Sequence, residues 1–249
     1  EDGMSFDESL SFAQENGYAE ADPVYDIEGI DAAHKIAILS NIIFGSPLPP
    51  NNFLIEGISK ITKEDIHIAE KLGFTVKHIS SADIRDGKIL MRSNPALVKK
   101  TDYLSSLKNV RNALVIDTDL VGKIHISSIG AGGEATAAGV ISDIVHLASG
   151  LKSFNAQSRE DLDYRDLTDE FFSYLVTVHS ANENTNNHIQ KILEEHNISI
   201  INSGLINNVK QSYITYYYEI DEIASVALEG FSKDLLNITD NFKMLRIEK

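Results

Sequence analysis

The chain contains no cysteine, which excludes disulfides, thiolate nucleophiles and cysteine-based zinc sites. It has no apolar run long enough to span a bilayer, and its first residues, Glu1 and Asp2, are acidic, unlike a secretory signal. Basic residues are scarce: 22 Lys and Arg stand against 37 Asp and Glu, a formal net charge of -15. A field of that sign repels phosphate backbones and anionic lipid, so neither a nucleic-acid nor a membrane partner is expected. His34, His67, His78 and His125 are scattered, without the paired spacing of a metal site, and no metal is expected. A serine hydrolase is excluded by the lack of G-x-S-x-G. No strand leads into G-x-G-x-x-G and a helix with an acidic residue about twenty positions on. What remains is the composition of an ordinary folded protein, 249 residues with 43% hydrophobic and 24% charged, enough for one large domain or two smaller ones.

The chain is organised around GYAEADPVYDIEGIDAAHK, Gly17 to Lys35. Glu20, Asp22, Asp26, Glu28 and Asp31 crowd this span, and one lysine follows them. Pro23 and Gly29 break the run, so the part before Gly29 reads as a shaped loop and the part after it as a helix. Such a loop is a cradle for a cationic substrate. Asp31 and Lys35 stand at i and i+4 and share one helix face. Read from spacing alone, the pair is better explained as a surface ion pair, contributing roughly a few tenths of a kcal/mol.

Ser5 and Glu8 have capping-box spacing ahead of a first helix that Asn16-Gly17 stops. The helix after the acidic loop is expected from about Ile30 to Ile43. Its Ala32, Ala33 and Ala37 leave room for a close approach. Pro47, Pro49 and Pro50 mark a loop, and Phe53–Ile58 reads as a short strand. Thr62 and Asp65 cap a helix with Ile66, Ala69 and Leu72 inward, ended by Gly73. Phe74–Ile79 and Lys88–Arg92 are strands, the second entered through the turn Asp86-Gly87. Ala113–Ile116 and Lys123–Ser127 form another pair around Gly122. Gly130-Ala131-Gly132-Gly133 then precedes a long apolar helix, Thr136–Ala148. Strand, glycine turn and helix can bring N–H groups to a phosphate; a tight turn made only for packing explains the same residues.

A polar, mostly acidic connection follows. The pattern then restarts as strand Tyr174–Val178, helix Thr185–Glu195, strands Ile198–Ile206 and Tyr213–Tyr218, helix Ile223–Leu235 and strand Lys243–Ile247. That order, βαββαβ, predicts a ferredoxin-like unit. The chain is thus expected to be α+β, a mixed-sheet domain over residues 1–150 with helices on one face, a linker over 151–170 and a second domain over 171–249.

At Gly17–Lys35 the sequence resembles homoserine dehydrogenase, whose pattern is close to G-Y-x-E-x-D-P-x-x-D-x-x-G-x-D-A-x-x-K; every fixed position is met. SFDESLSFAQENGYAE, IEGISKITKEDIHIAEKLGF, NALVI and GAGGEATAAGV agree in order, so the resemblance covers most of residues 1–150. It implies the interconversion of L-homoserine and L-aspartate 4-semialdehyde, with NAD or NADP exchanging the hydride, in threonine, methionine and isoleucine biosynthesis. It implies that Lys35 exchanges the hydroxyl proton, that Glu20 and Asp31 hold the substrate and that Asp26 organises the pocket. Gly130 and Gly132 would lie against the cofactor, although Ser128 and Ala135 stand where the family often has glycine and proline.

Elementary chemistry agrees with those residue types. Carboxylates bind an ammonium group by charge-assisted hydrogen bonds, and a partly desolvated lysine can take a hydroxyl proton. His34, beside Lys35, points to another face and reads as structural. By the same resemblance the dinucleotide-binding unit lies before Glu1. The chain is then a C-terminal part, inactive alone, whose Thr136–Ala148 helix packs on that unit. The last domain resembles an ACT domain, with Ser180-Ala181-Asn182-Glu183-Asn184 in place of the usual D-x-P-G, so threonine feedback is not expected. A cytoplasmic homo-oligomer, dimeric or tetrameric, is implied. The alternative from another class is a non-catalytic amino-acid binder, which would have no use for Lys35.

Overall fold

The structure, a computed structural model, describes residues 3–45, 53–150, 162–182, 184–208 and 213–248. The proline loop at Pro47, Pro49 and Pro50, residues 151–161 of the expected linker, and Glu183 lie outside the described residues. The chain divides into two compact units, Glu1–Asn94 with Val98–Asp163, and Pro95–Leu97 with Tyr164–Lys249. Both combine helices with strands, so the chain is α+β with parallel and antiparallel pairings.

In the first unit, helix α1 (Phe6–Glu15) starts on the expected capping box. The Glu8 N–H donates to Ser5 Oγ (3.2 Å), and the Ser5 N–H donates to the Glu8 carboxylate (2.6 Å). That Ser5 N–H first, and then the Ser5 hydroxyl, which also donates to the Glu8 carboxylate (2.7 Å), lower the Glu8 carboxyl pKa. The acidic stretch is not all loop: Val24–Ile27 forms one helical turn, α2. Helix α3 (Ile30–Phe44) lies between two left-handed glycines, Gly29 (φ 74°) and Gly45 (φ 67°). Its buried face is Ala33, Ala37 and Ser40, spaced i, i+4 and i+7 as one helical stripe requires.

Strand β1 is only Leu54–Ile55, shorter than the Phe53–Ile58 expected. The N–H of Glu56 still reaches Ser93 O (2.8 Å), but that of Ile58 goes to Ile27 O instead (2.8 Å). Helix α4 (Lys63–Lys71) starts on the Thr62–Asp65 box and buries Asp65, Ile68 and Ala69; Ile66, expected inward, is exposed. Strands β2 (Phe74–Arg85) and β3 (Lys88–Lys99) are joined through Asp86 (φ 49°) and Gly87 (φ 73°), the paired positive φ of a tight hairpin turn. Helices α3 and α4 pack on β2, and β1 pairs parallel with β3 at Arg92 and Ser93. Ile89 to Val98 are buried in succession. Successive residues of a strand face opposite ways, so both faces of β3 are covered.

Strands β4 (Arg111–Thr118) and β5 (Gly122–Ile129) are antiparallel with Thr118 opposite Gly122, so the turn is at 119–121 rather than at Gly122. Helix α5 (Gly133–Ala148) begins three residues before the expected Thr136. Its Val140, Ile141, Ile144, Val145 and Leu147 are all exposed.

The second unit runs β6 (Phe171–Ser180), α6 (Thr185–Glu195), β7 (Ile200–Asn208), β8 (Tyr213–Ala224), α7 (Ser225–Leu236) and β9 (Phe242–Ile247). The strands lie in the order β9-β6-β8-β7, each pair antiparallel. Ile189, Ile192 and Leu193 of α6 meet Phe231 and Leu235 of α7 over Val176 and Tyr218. Burial, with a contribution from Tyr216, pushes the Tyr218 hydroxyl pKa well above the usual tyrosine value; that hydroxyl donates to Asn186 Oδ1 (2.5 Å). Ala96 and Leu97 pair with β9 at Arg246 and Ile247. Pro95, which has no N–H to give, falls just before this pairing.

Candidate active site

The acidic loop is held at both ends by backbone contacts. At its start, the N–H groups of Tyr18 and Ala19 wrap back to Ala13 O (2.8 and 3.3 Å). The Gln14 side-chain amide donates to Glu20 O (2.9 Å) and Ala21 O (3.4 Å). Asp26 Oδ2 accepts the Glu20 N–H (3.3 Å), and Asp22 Oδ1 accepts the Val24 N–H (3.4 Å), which turns the chain into α2. Two of the four carboxylates before Gly29 therefore shape backbone. The Glu20 residue is exposed, its main chain fixed by Gln14 and Asp26.

At its end, the loop crosses the segment after β1. A methyl group on Gly57 would lie 2.4 Å from Glu28 Cα and 2.4 Å from Ile27 O. Gly57 therefore admits the other chain because it has no side chain. A methyl on Gly29 would lie 2.7 Å from His78 Nε2 and 3.1 Å from Glu56 O. His78 Nε2 is itself 2.9 Å from that Glu56 oxygen. The carbonyl only accepts, so the imidazole carries its proton on Nε2.

From this crossing α3 departs with Asp31 in its first turn. Lys35 Nζ lies 2.6 Å from Asp31 Oδ2, and the two side chains are 61% and 46% exposed. The i, i+4 expectation is met, but the expected partial desolvation of Lys35 is not seen. Over half of this side chain faces solvent, where an ion pair by itself contributes little. His34 faces Tyr25, with ring centroids 6.3 Å apart.

The glycine turn splits in two. Gly130 is accounted for by packing, since a methyl there would lie 2.0 Å from Asn112 Nδ2. Gly132 has φ 105° and ψ 154° and precedes α5 without a side-chain cap. A methyl on it would lie 3.7 Å from Tyr18 Cε1. Tyr18 opens the acidic loop, so that ring brings loop and glycine turn together. Among the described residues no group of three or more His, Cys, Asp or Glu could hold a metal ion.

Sequence reasoning missed Glu56, Gly57 and His78. The glycine had a signal, being the one small residue in an otherwise strand-like run; nothing local marks His78.

The family model for homoserine dehydrogenase matches residues 1–145. A homoserine dehydrogenase of Pseudomonas aeruginosa is 40% identical over 153 residues, 61% of this chain and 35% of that protein. One of Helicobacter pylori is 31% identical over 252 residues, 98% of this chain and 59% of that protein. The crystal structure of a homoserine dehydrogenase from Thiobacillus denitrificans superposes with a TM-score of 0.85 at 28% identity, covering 100% of this chain and 59% of that one. The chain thus spans between 35% and 59% of the length of these relatives.

Proposed function

The chain belongs to the homoserine dehydrogenase family, and from that premise we propose that it supplies the substrate-binding and proton-transfer part of an enzyme interconverting L-homoserine and L-aspartate 4-semialdehyde. The observation that carries this is the Lys35–Asp31 contact of 2.6 Å on a helix that leaves directly from the carboxylate loop. Glu20 and Asp31 hold the substrate ammonium group, and Asp26 keeps the Glu20 backbone in place. In the reducing direction Lys35, as an ammonium ion, gives its proton to the aldehyde oxygen; in the oxidising direction the amine takes the hydroxyl proton.

When bound, NADH or NADPH would supply the hydride to the aldehyde carbon, and NAD or NADP would accept it from the carbinol carbon in the oxidising direction. Gly132 fits one end of such a cofactor, because its backbone conformation and missing side chain leave the start of α5 open to a phosphate. Gly130 is the weaker candidate, its space being taken by Asn112. No G-x-G-x-x-G with a ribose-reading acid stands in these 249 residues, so the main nucleotide contacts and the choice of NADP or NAD come from elsewhere in the active enzyme.

The second unit is a ferredoxin-like domain of the ACT type that serves subunit pairing in a homodimer or tetramer, with β7 at its outer edge. Its β6–α6 turn is closed by its own polar groups. Ser180 Oγ lies 2.7 Å from Thr185 Oγ1 and accepts the Asn182 N–H (3.1 Å), and Asn182 Oδ1 accepts the Asn184 N–H (2.9 Å). The turn has no D-x-P-G, so a threonine effector is not expected. A biosynthetic reaction of this kind favours the cytoplasm, with which the lack of cysteine is compatible. Among the described residues no helix is long and apolar enough to cross a membrane.

One assay of the full-length protein tests these statements together. L-homoserine drives reduction of NAD or NADP, added threonine leaves the rate unchanged, and the sedimenting mass is a multiple of the chain mass. No homoserine-dependent reduction with either nucleotide would leave an amino-acid binder as the better reading.

A further inference from the structure

We infer that His78 is a positioning residue for the proton-transfer helix, holding the start of α3, and with it Asp31 and Lys35, through the Glu56 carbonyl. The inference rests on the activity proposed above. Helix α3 lacks the usual device for fixing a helix start: its N-cap is Gly29, and no side chain caps the first turn. Its beginning is set instead by the chain crossing beneath it. The His78 imidazole N–H donates to Glu56 O (2.9 Å), and both atoms lie against Gly29. Next to them the Ile58 N–H donates to Ile27 O (2.8 Å), where Gly57 crosses Glu28 in close contact.

β2 is the strand on which α3 packs, so the imidazole ties the helix start to the same strand that supports the helix body. Without that donor, the Glu56 carbonyl loses a partner and is free to move along with the Gly29 turn. A residue acting this way touches neither substrate nor cofactor. It fixes the direction in which α3 leaves, and small errors in such a direction are amplified at the reacting atoms, about a hundredfold in rate for ~1 Å.

The test compares His78→Leu and His78→Gln in the full-length protein. Leucine fills the space without a donor; glutamine places an amide nitrogen where Nε2 stands. Steady-state kinetics and amide hydrogen exchange over residues 29–36 are measured on both. His78→Leu is expected to lower kcat by about tenfold, to raise KM for homoserine as well because Asp31 shifts with Lys35, and to speed exchange at the Ala33 amide, which is bonded to Gly29 O (3.0 Å). His78→Gln is expected to restore all three. Wild-type exchange and kcat in a folded His78→Leu protein would overturn the inference. So would a His78→Gln protein as impaired as His78→Leu, since packing alone would then explain the loss. If His78→Leu fails to fold, His78→Gln decides by itself, wild-type values supporting the inference and loss overturning it. The exchange measurement does not depend on turnover, so failure of the proposed activity would be seen separately.

Discussion

Replacing Lys35 with alanine in the full-length protein lowers kcat by roughly 10²- to 10⁴-fold, the range that a positioned acid or base supplies. KM for homoserine changes far less, because the ammonium group of the substrate is held by Glu20 and Asp31. Truncation also frees the Asp31 carboxylate from its 2.6 Å contact, which gives the substrate amine an unpaired anion. Binding is therefore kept or slightly improved while proton exchange is lost. Lys35→Arg is expected to fail nearly as badly, since a guanidinium keeps the charge but does not give up its proton. Steady-state kinetics on both variants check this. Wild-type turnover in Lys35→Ala would remove Lys35 from the mechanism, and an unchanged kcat with a raised KM would make it a binding residue only.

Gly29→Ala destabilises the first unit by about 2–5 kcal/mol and impairs activity with it. Two effects add. The left-handed conformation at φ 74° is unfavourable for an L side chain by about 1–2 kcal/mol. The new methyl also meets His78 Nε2 at 2.7 Å and the Glu56 carbonyl at 3.1 Å. Overpacking of this kind typically costs about 1–3 kcal/mol. His78 cannot simply swing aside without giving up its bond to Glu56. Urea unfolding of wild type and variant measures the difference; a loss below about 1 kcal/mol would mean that the turn relaxes freely.

Local signals carried much of this molecule. The Ser5–Glu8 and Thr62–Asp65 boxes, the Asp86-Gly87 turn and the α6 stripe of Ile189, Ile192 and Leu193 depend on residues a few positions apart, and each stands where expected. Elements whose ends are set from a distance were misjudged. β1 stops early because Ile58 is drawn to Ile27. β3 runs on through Pro95 because its end pairs with β9, and its continuous burial erases the alternation that marks a strand. The one-turn helix α2 is too short to show a period. At the site, the Lys35–Asp31 pairing was legible from spacing. The clamp of Gly29, Glu56 and His78 was not, because it joins three segments far apart in the chain.

The exposure of Lys35 makes its partner decisive. A lysine 61% open to solvent is covered only when substrate binds, so the bound state carries the test. A crystal structure of the full-length protein with L-homoserine is predicted to place the substrate hydroxyl within about 3.2 Å of Lys35 Nζ, with the ammonium group against Glu20 and Asp31. Homoserine bound with its hydroxyl turned away from Lys35, or bound at a place that neither carboxylate reaches, would contradict it.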